Sequence, residues 1–369
     1  MRQIYIWQHK EWPQFRWDEA GIQAQLSSVR HKQGQLTGMM KVLGLEVQNA
    51  STLDIITMDI VKSCEIEGVI LNSERVRSSV ARHLGVDTEG LPEPDHYTEG
   101  IVAVMIDAVR NVNTPFTSER LFGWHAALFP TGRSGPYKIT VADWRKGDEP
   151  MQVVSGAMGH EVVHYEAPPS SLVPEMMEQF LVWMEKDDTR LDPIVKAAIA
   201  HLWFVAIHPF DDGNGRLTRT ITDMLMCRAD GLPHRYYSVS NTICKYKKEY
   251  YSALEDTTVG GIDITKWIQW FLKTVDSAIS EAIATTENTI KKAQFWQRHR
   301  CVPMNERQVK IINMMWNGFE GKLTNAKWAK ITKTSASTAL RDIQELVALG
   351  LLKTAGEGGR STNYILVED

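Results

Sequence analysis

This sequence predicts a mainly α fold, on three observations. Apolar residues recur at three- and four-residue spacings along most of the chain. Helix-opening residues precede those runs (Thr52, Asn72, Ser118, Pro174, Pro193), and Gly68 stands where one run should stop. Short β-branched runs are confined to a glycine-punctuated stretch after Pro130 and to the C-terminal end.

With 369 residues the chain has room for two or three domains. An apolar fraction of 43% and a charged fraction of 23% match a soluble globular protein. The net charge of -4 gives no global attraction to nucleic acid or acidic membrane. No run approaches the ~20 apolar residues that span a bilayer, so no membrane partner is expected. The opening MRQIYIWQHKEWPQF breaks its apolar run at once with Gln, His and Lys, unlike a secretory signal. Cys64, Cys227, Cys244 and Cys301 lack metal-ligand spacing and are expected as buried, reduced thiols of a cytoplasmic protein.

Residues 1–90 read as a helical N-terminal domain in which Trp7, Trp12, Phe15 and Trp17 form one aromatic cluster. A helix over about 52–68, capped by Ser51 or Thr52, carries Leu53, Ile56, Ile60 and Cys64 at helical spacing. A second helix starts at Asn72 with Val76, Val80 and Leu84, and the loop 84–95 marks a boundary. Residues 91–285 form the next domain, opening with Tyr97–Val112 and a helix capped by Ser118. ITVAD, QVVSG and EVVHY, set among Gly132, Gly135, Gly147, Gly156 and Gly159, read as a hairpin or flap. Pro174 opens a helix with Met177, Phe180, Leu181 and Met184 inward, and Pro193 opens one that leads to His208. An exit helix starts near Arg216, and helices 247–255 and 263–285 close the domain. Residues 286–300 are a helical connector within a polar helix Asp276–His299. In 301–369, helices Glu306–Asn317, one after Asn325, and Ser335–Leu349 (Leu340, Ile343 and Val347 inward) precede two strands around Gly356-Glu357-Gly358-Gly359, the winged-helix order.

Chemistry concentrates in His208-Pro209-Phe210-Asp211-Asp212-Gly213-Asn214-Gly215-Arg216-Leu217-Thr218-Arg219. Two glycines around an Asn allow unusual backbone angles, so successive N–H groups can converge on an anion. The exit helix adds the positive end of its dipole. Arg216 and Arg219, three apart, share a helix face.

The gapless pattern His208-x-Phe-x-Asp-Gly-Asn-Gly-Arg-x-x-Arg219 resembles the signature of Fic domains. Supporting resemblance spans about 90 to 285, through PFTSERLFGWHAALFP, VVSG, APPSSLVPEMMEQF and KKEYYSAL. IWQHKEWPQFRWD resembles a domain of unknown function often fused to Fic, and the C-terminus its common winged helix. The resemblance implies an all-helical Fic core with a small β-hairpin flap. It also implies nucleotidyl transfer, usually of AMP from ATP to a Ser, Thr or Tyr hydroxyl of a target protein or of the enzyme itself.

The residue types suit that chemistry. His208, with an ordinary imidazole pKa near 6.5, can take the hydroxyl proton. Asp212 is the candidate Mg²⁺ ligand. The nucleotide phosphates fall to Asp212, Gly213, Asn214, Gly215, Arg216, Leu217, Thr218 and Arg219. In that set Gly213–Gly215 cradle the α-phosphate, and the resemblance assigns the two arginines to the β- and γ-phosphates. Phe210 is expected in the core, and Asp211 has no catalytic role. By the same resemblance, a target chain pairs with Gln152, Val153, Val154 and Ser155, and Val153 and Val154 border the nucleotide. Tyr250 and Tyr251 match a Tyr-Tyr near the adenine, although two helical aromatics equally read as core. The family's Asn near Thr258 is absent, which leaves the base-side contacts open.

Ser63-Cys64-Glu65-Ile66-Glu67-Gly68 resembles the family's inhibitory pattern, Ser/Thr-x-x-x-Glu-Gly. Glu67 in a last helical turn opposes the helix dipole by about 0.3–1 kcal/mol. Water can screen it, or it can pair bidentately with Arg219 in place of the γ-phosphate. Ser63 would then bond within the motif loop, Gly68 would end the helix, and Glu65 would point away. The leading reading is an auto-inhibited, Mg²⁺-dependent transferase of AMP. Alternatives are the reverse reaction, transfer of another nucleotide such as UMP, or a DNA-binding regulator that uses the core as a nucleotide sensor. For 301–369, Ser335, Ser337, Thr338, Arg341, Lys330, Lys333 and a wing Arg360 could meet DNA. Nine Lys/Arg against seven Asp/Glu favour protein contact or a homodimer instead.

Overall fold

The computed structural model describes residues 4–87, 90–155, 162–231, 235–355 and 362–367. The apolar periodicities become fourteen α-helices among these residues, with only short strand pairs. The first five helices are α1 (Glu19–Lys41), α2 (Leu45–Ile66), α3 (Ser73–Leu84), α4 (His96–Arg110) and α5 (Ser118–Leu128). Two antiparallel hairpins follow, β1 (Arg133–Ser134) with β2 (Tyr137–Lys138), and β3 (Gln152–Ser155) with β4 (Val162–Glu166). Then come α6 (Val173–Glu185), α7 (Pro193–Ile207), α8 (Asn214–Asp230), α9 (Val239–Lys245), α10 (Lys247–Thr258) and α11 (Thr265–Arg298). The C-terminal elements are α12 (Glu306–Trp316), α13 (Asn325–Thr332), α14 (Ala336–Ala348) and the antiparallel pair β5 (Leu352–Ala355) and β6 (Asn363–Leu366). The chain divides into two compact units, Met1–Ala284 and Thr285–Asp369. Among the described residues no helix is long and apolar enough to cross a membrane.

In the first unit α7 is apolar on nearly every side, so it is wrapped rather than half-exposed, and α8 packs along it. Pro193 starts α7 without costing a backbone bond, and Asp192 caps it by accepting the Ile194 N–H at 2.8 Å. α2 ends as its glycine predicts. Gly68 takes φ 78°, its N–H reaches Glu65 O at 3.0 Å, and the Val69 N–H reaches Cys64 O at 3.0 Å.

Several boundaries differ from the sequence expectation. The Trp-rich start forms the expected cluster only in part, where Trp12 meets Phe15 edge-on at 5.3 Å. Trp12 and Phe15 pack edge-on against Trp203 of α7, and Trp7 donates its indole N–H to Glu166 O at 2.8 Å. α2 begins at Leu45, so Thr52 is interior, where its hydroxyl is satisfied by donating to Gln48 O at 2.8 Å. Thr117, not Ser118, caps α5 by accepting the Arg120 N–H. The expected helices 263–285 and Asp276–His299 are one element, α11, because no Pro, Gly or cap separates them. Cys64 and Cys227 are buried, but Cys244 is half-buried and Cys301 is exposed in the turn after α11.

In the second unit α14 is turned from the expected phase. Ala339, Asp342, Ile343 and Leu346 face the core, and Leu340 and Val347 are 38% and 37% exposed. A carboxylate takes a core position because Arg307 grips Asp342 with two bonds of 2.7 and 2.9 Å, which hydropathy alone does not register. The glycines Gly156 and Gly159, the turn Gly356–Gly359 and Arg360 lie outside the described residues.

Candidate active site

The motif loop joins the C-terminus of α7 to the N-terminus of α8. His208 closes α7 in the left-handed region at φ 51° and ψ 59°, which costs a non-glycine residue about 1–3 kcal/mol unless its surroundings hold it there. Gly213, at φ 86°, turns the chain into α8, and a Cβ there would meet the Phe129 ring at 2.8 Å. Asn214 braces the loop from inside, with Oδ1 accepting the Phe210 N–H at 3.0 Å and Nδ2 donating to Phe210 O at 2.8 Å. Phe210 is fully buried and stacks on His125 at 4.1 Å. Asp211 accepts the Thr140 N–H at 2.8 Å, a structural task. Leu217 and Thr218 turn into the core, and the Thr218 hydroxyl donates to Asn214 O at 2.7 Å.

The His208 ring has one defined tautomer. Nδ1 lies 3.2 Å from Val205 O, and a carbonyl only accepts, so Nδ1 carries the hydrogen and Nε2 keeps its lone pair. Burial first, and then the charge of Arg145, push the imidazole pKa down to about 4. His208 is therefore neutral at pH 7.

Asp212 presents Oδ2 to the Ser134 hydroxyl at 2.5 Å and to Arg216 Nη2 at 3.5 Å. Arg216 also donates from Nη1 to the Tyr97 hydroxyl at 3.0 Å and lies 4.9 Å over the Phe129 ring. These five side chains line a cavity of about 510 Å³.

α2 lies against α8 so that Arg219, 1% exposed, meets Ser63 and Glu67. The expected bidentate Arg–carboxylate pair is not what forms. Arg219 Nε donates to Ser63 Oγ at 2.8 Å, and Nη2 is shared between Ser63 O at 2.9 Å and Glu67 Oε1 at 2.7 Å. Ser63 takes the fork because the last-turn carbonyls of α2 also seek donors, which leaves Glu67 a single bond. The Glu67 carboxylate nonetheless rests on the loop, since a Cβ added at Gly215 would lie 2.1 Å from Oε1. Arg219 Nη1 and Arg216 Nε are buried with no hydrogen-bond partner among the described residues. Glu65 pairs with Lys62 on the other side of α2.

Tyr250 and Tyr251 separate. Tyr250 is core, its hydroxyl 2.9 Å from Nε2 of the buried His201. Tyr251 is 40% exposed and donates to Ile66 O at 3.4 Å, beside the end of α2. Val153 is half-buried and Val154 exposed, with a register shift between them. β3 pairs only with β4 among the described residues, so one of its edges is open. In the second unit, Ser335 caps α14, and the Ser337 and Thr338 hydroxyls bond to it rather than pointing free. Lys330, Lys333 and Arg341 are exposed. Sequence reasoning missed Tyr97, His125, Phe129, Ser134 and Arg145. Each bonds or packs within the loop through a contact distant in sequence, for which no local pattern exists.

Comparison with known proteins decides what this loop is. Segment 115–226 matches the Fic/DOC family, and 5–86 matches a domain of unknown function, DUF4172. Residues 115–226 are a Fic/DOC domain. Over 118 residues the chain is 30% identical to protein adenylyltransferase fic-1 of Caenorhabditis elegans, which is 32% of this chain and 22% of that one. Over 140 residues it is 29% identical to a probable protein adenylyltransferase of Aquifex aeolicus, 38% of each chain. The chain therefore spans well under half the length of these curated relatives. Its fold is similar to that of a Fic family protein from Desulfovibrio desulfuricans, with TM-score 0.53 and 19% identity over 95% of this chain and 97% of that one. It is also similar to Fic-1 of C. elegans, with TM-score 0.50 and 20% identity over 73% and 74%. The Fic domain contributes α5, the hairpins, α6, α7, the motif loop and most of α8.

Proposed function

We propose that this protein transfers AMP from ATP to a protein hydroxyl, its own included, and that Glu67 holds it in an inhibited state. The observation that carries the reading is the pairing of an unprotonated His208 Nε2 with an anion site already filled by a carboxylate. His208 accepts the hydroxyl proton as the oxygen attacks the α-phosphorus. The α8 N-terminus at Gly213–Gly215 faces the α-phosphate. The buried, unpartnered donors Arg219 Nη1 and Arg216 Nε suit the charge of the leaving pyrophosphate. Asp212 fits Mg²⁺, which needs only one or two carboxylates beside phosphate oxygens and waters, and which neutralises leaving-group charge when bound. Among the described residues no group of three or more His, Cys, Asp or Glu competes for it. Four unpaired cysteines suit the cytoplasm.

Glu67→Gly frees one N–H of Arg219 and empties the space over Gly215. A hydrogen bond to a charged group is worth about 1.5 kcal/mol at its lower end, suited to a partly exposed Glu67, so self-labelling by α-labelled ATP should rise about tenfold or more. Equal labelling of wild type and Glu67→Gly would sink the inhibition. In the same background Arg219→Ala should lose productive ATP use. Full activity of that double variant would remove Arg219 from the γ-phosphate.

A further inference from the structure

The segment ITVADWR, whose ITVAD reads from sequence as part of the hairpin or flap, pairs with no strand among the described residues. It runs along the motif loop instead and bonds it directly or through His125, whose Nε2 lies 3.1 Å from Asp212 O. The Thr140 N–H goes to Asp211 Oδ2 at 2.8 Å, and the Ala142 N–H to His125 Nδ1 at 3.3 Å. The Arg145 N–H goes to Pro209 O at 2.9 Å. Its guanidinium then reaches behind the loop, where Nε donates to His208 O at 2.8 Å and Nη2 donates to Pro168 O.

We propose that Arg145 is a positioning residue for His208, fixing the left-handed backbone that aims the imidazole at the reacting hydroxyl. This rests on His208 being the base. Arg145 is only 4% exposed and has no ion-pair partner among the described residues. The charge of nearby Asp211 offsets part of its burial without a direct ion pair, and the local geometry supplies the rest. The carbonyl it binds ends α7, where the helix dipole is negative and last-turn carbonyls lack internal donors. A left-handed His208 turns that carbonyl toward the guanidinium, so the bond and the strained backbone hold each other. The second bond, to Pro168 O, ties the same guanidinium to the chain leaving β4. His208 and the flap thus share one anchor. The charged groups acting on the His208 ring are Arg145, Glu67 and Asp212. Of these, only Arg145 favours the neutral ring.

The test uses the full chain carrying Glu67→Gly, with Arg145→Met and Arg145→Lys added singly. Readouts are kcat and KM for ATP, the melting temperature, and the titration of the His208 ring by NMR, assigned by its loss in His208→Ala. A base displaced by about 1 Å costs about a hundredfold, so Arg145→Met should lose about that in kcat with KM for ATP within about twofold. The His208 titration should move to higher pH in Arg145→Met. Arg145→Lys, which keeps the charge but cannot span both carbonyls, should keep the titration near its parent value and lose kcat. A kcat within about threefold of the parent with an unmoved titration in Arg145→Met overturns the proposal. So does a loss of kcat and KM together with the melting temperature, rescued fully by Lys. If the Glu67→Gly parent labels with no nucleotide, the transferase reading fails, and the NMR titrations alone decide the role of Arg145.

Discussion

His208→Ala, made beside Glu67→Gly, should reduce AMP transfer by about 10²- to 10⁴-fold, the usual worth of a positioned general base. ATP affinity should hardly change, because the phosphate-facing groups are on α8 and the ring contributes none of them. The pH dependence separates this base from an ordinary histidine. Burial pushes its pKa down to about 4, and Glu67, whose charge favours the imidazolium, is gone in this background. The neutral, competent form is thus full across pH 5.5–8. The rate at pH 5.5 should lie within about twofold of that at pH 7.5, whereas an imidazole with a pKa near 6.5 would lose about tenfold. A tenfold fall would mean that the ring is solvated as the loop works, and the buried geometry would not describe the reacting state.

The parts of the site that were legible in the sequence are those set by local chain geometry. Gly213 at positive φ, Phe210 in the core and Gly68 ending α2 each follow from residue type and immediate neighbours. The meeting of Glu67 with Arg219 joins positions 152 apart, and only a family resemblance suggested it. Even then the form was wrong, since the Ser63 carbonyl and hydroxyl take most of the guanidinium. ITVADWR misled for a related reason. Its β-branched residues favour extended backbone, but the chain bends at Ala142, which takes φ 56°, and its amides bond the motif loop, His125 and Gly132 rather than a strand. α1 was missed because Gln and Ser dilute its apolar content. Its buried Ile22, Val29 and Leu36 nonetheless stand seven apart, a helical stripe too thin to stand out. The phase of α14 failed because a buried, paired Asp342 occupies a position that hydropathy reserves for an apolar side chain.

Arg235→Ala should destabilise the first unit by about 3–5 kcal/mol, the cost of leaving buried carboxylates without their cation. Arg235 is 4% exposed and donates from Nη2 to Asp59 Oδ2 at 3.1 Å and to Asp223 Oδ1. Asp59 lies one helical turn before Ser63 on α2, and Asp223 one turn after Arg219 on α8. The same two helix faces that meet at the inhibitory contact are therefore riveted a turn deeper. One guanidinium between two carboxylates leaves excess negative charge, and burial raises the pKa of both Asp59 and Asp223. A carboxylate raised in the folded state stabilises fully below its unfolded pKa near 3.9 and loses that contribution as pH rises through the folded value. The penalty of Arg235→Ala should accordingly shrink as pH falls toward 4, where the abandoned carboxylates protonate. Asp223→Asn keeps an acceptor for Arg235 and removes the excess charge, so it should cost no more than about 1 kcal/mol at pH 7. Urea unfolding followed by Trp fluorescence at pH 5 and pH 7.5 measures both. Equal losses for the two variants, or a penalty for Arg235→Ala that grows toward acid, would contradict the charge argument. The rivet also bears on inhibition. A variant that stays folded but loosens α2 should label itself more than wild type with Glu67 in place, since Glu67 reaches Gly215 only while its helix is held there.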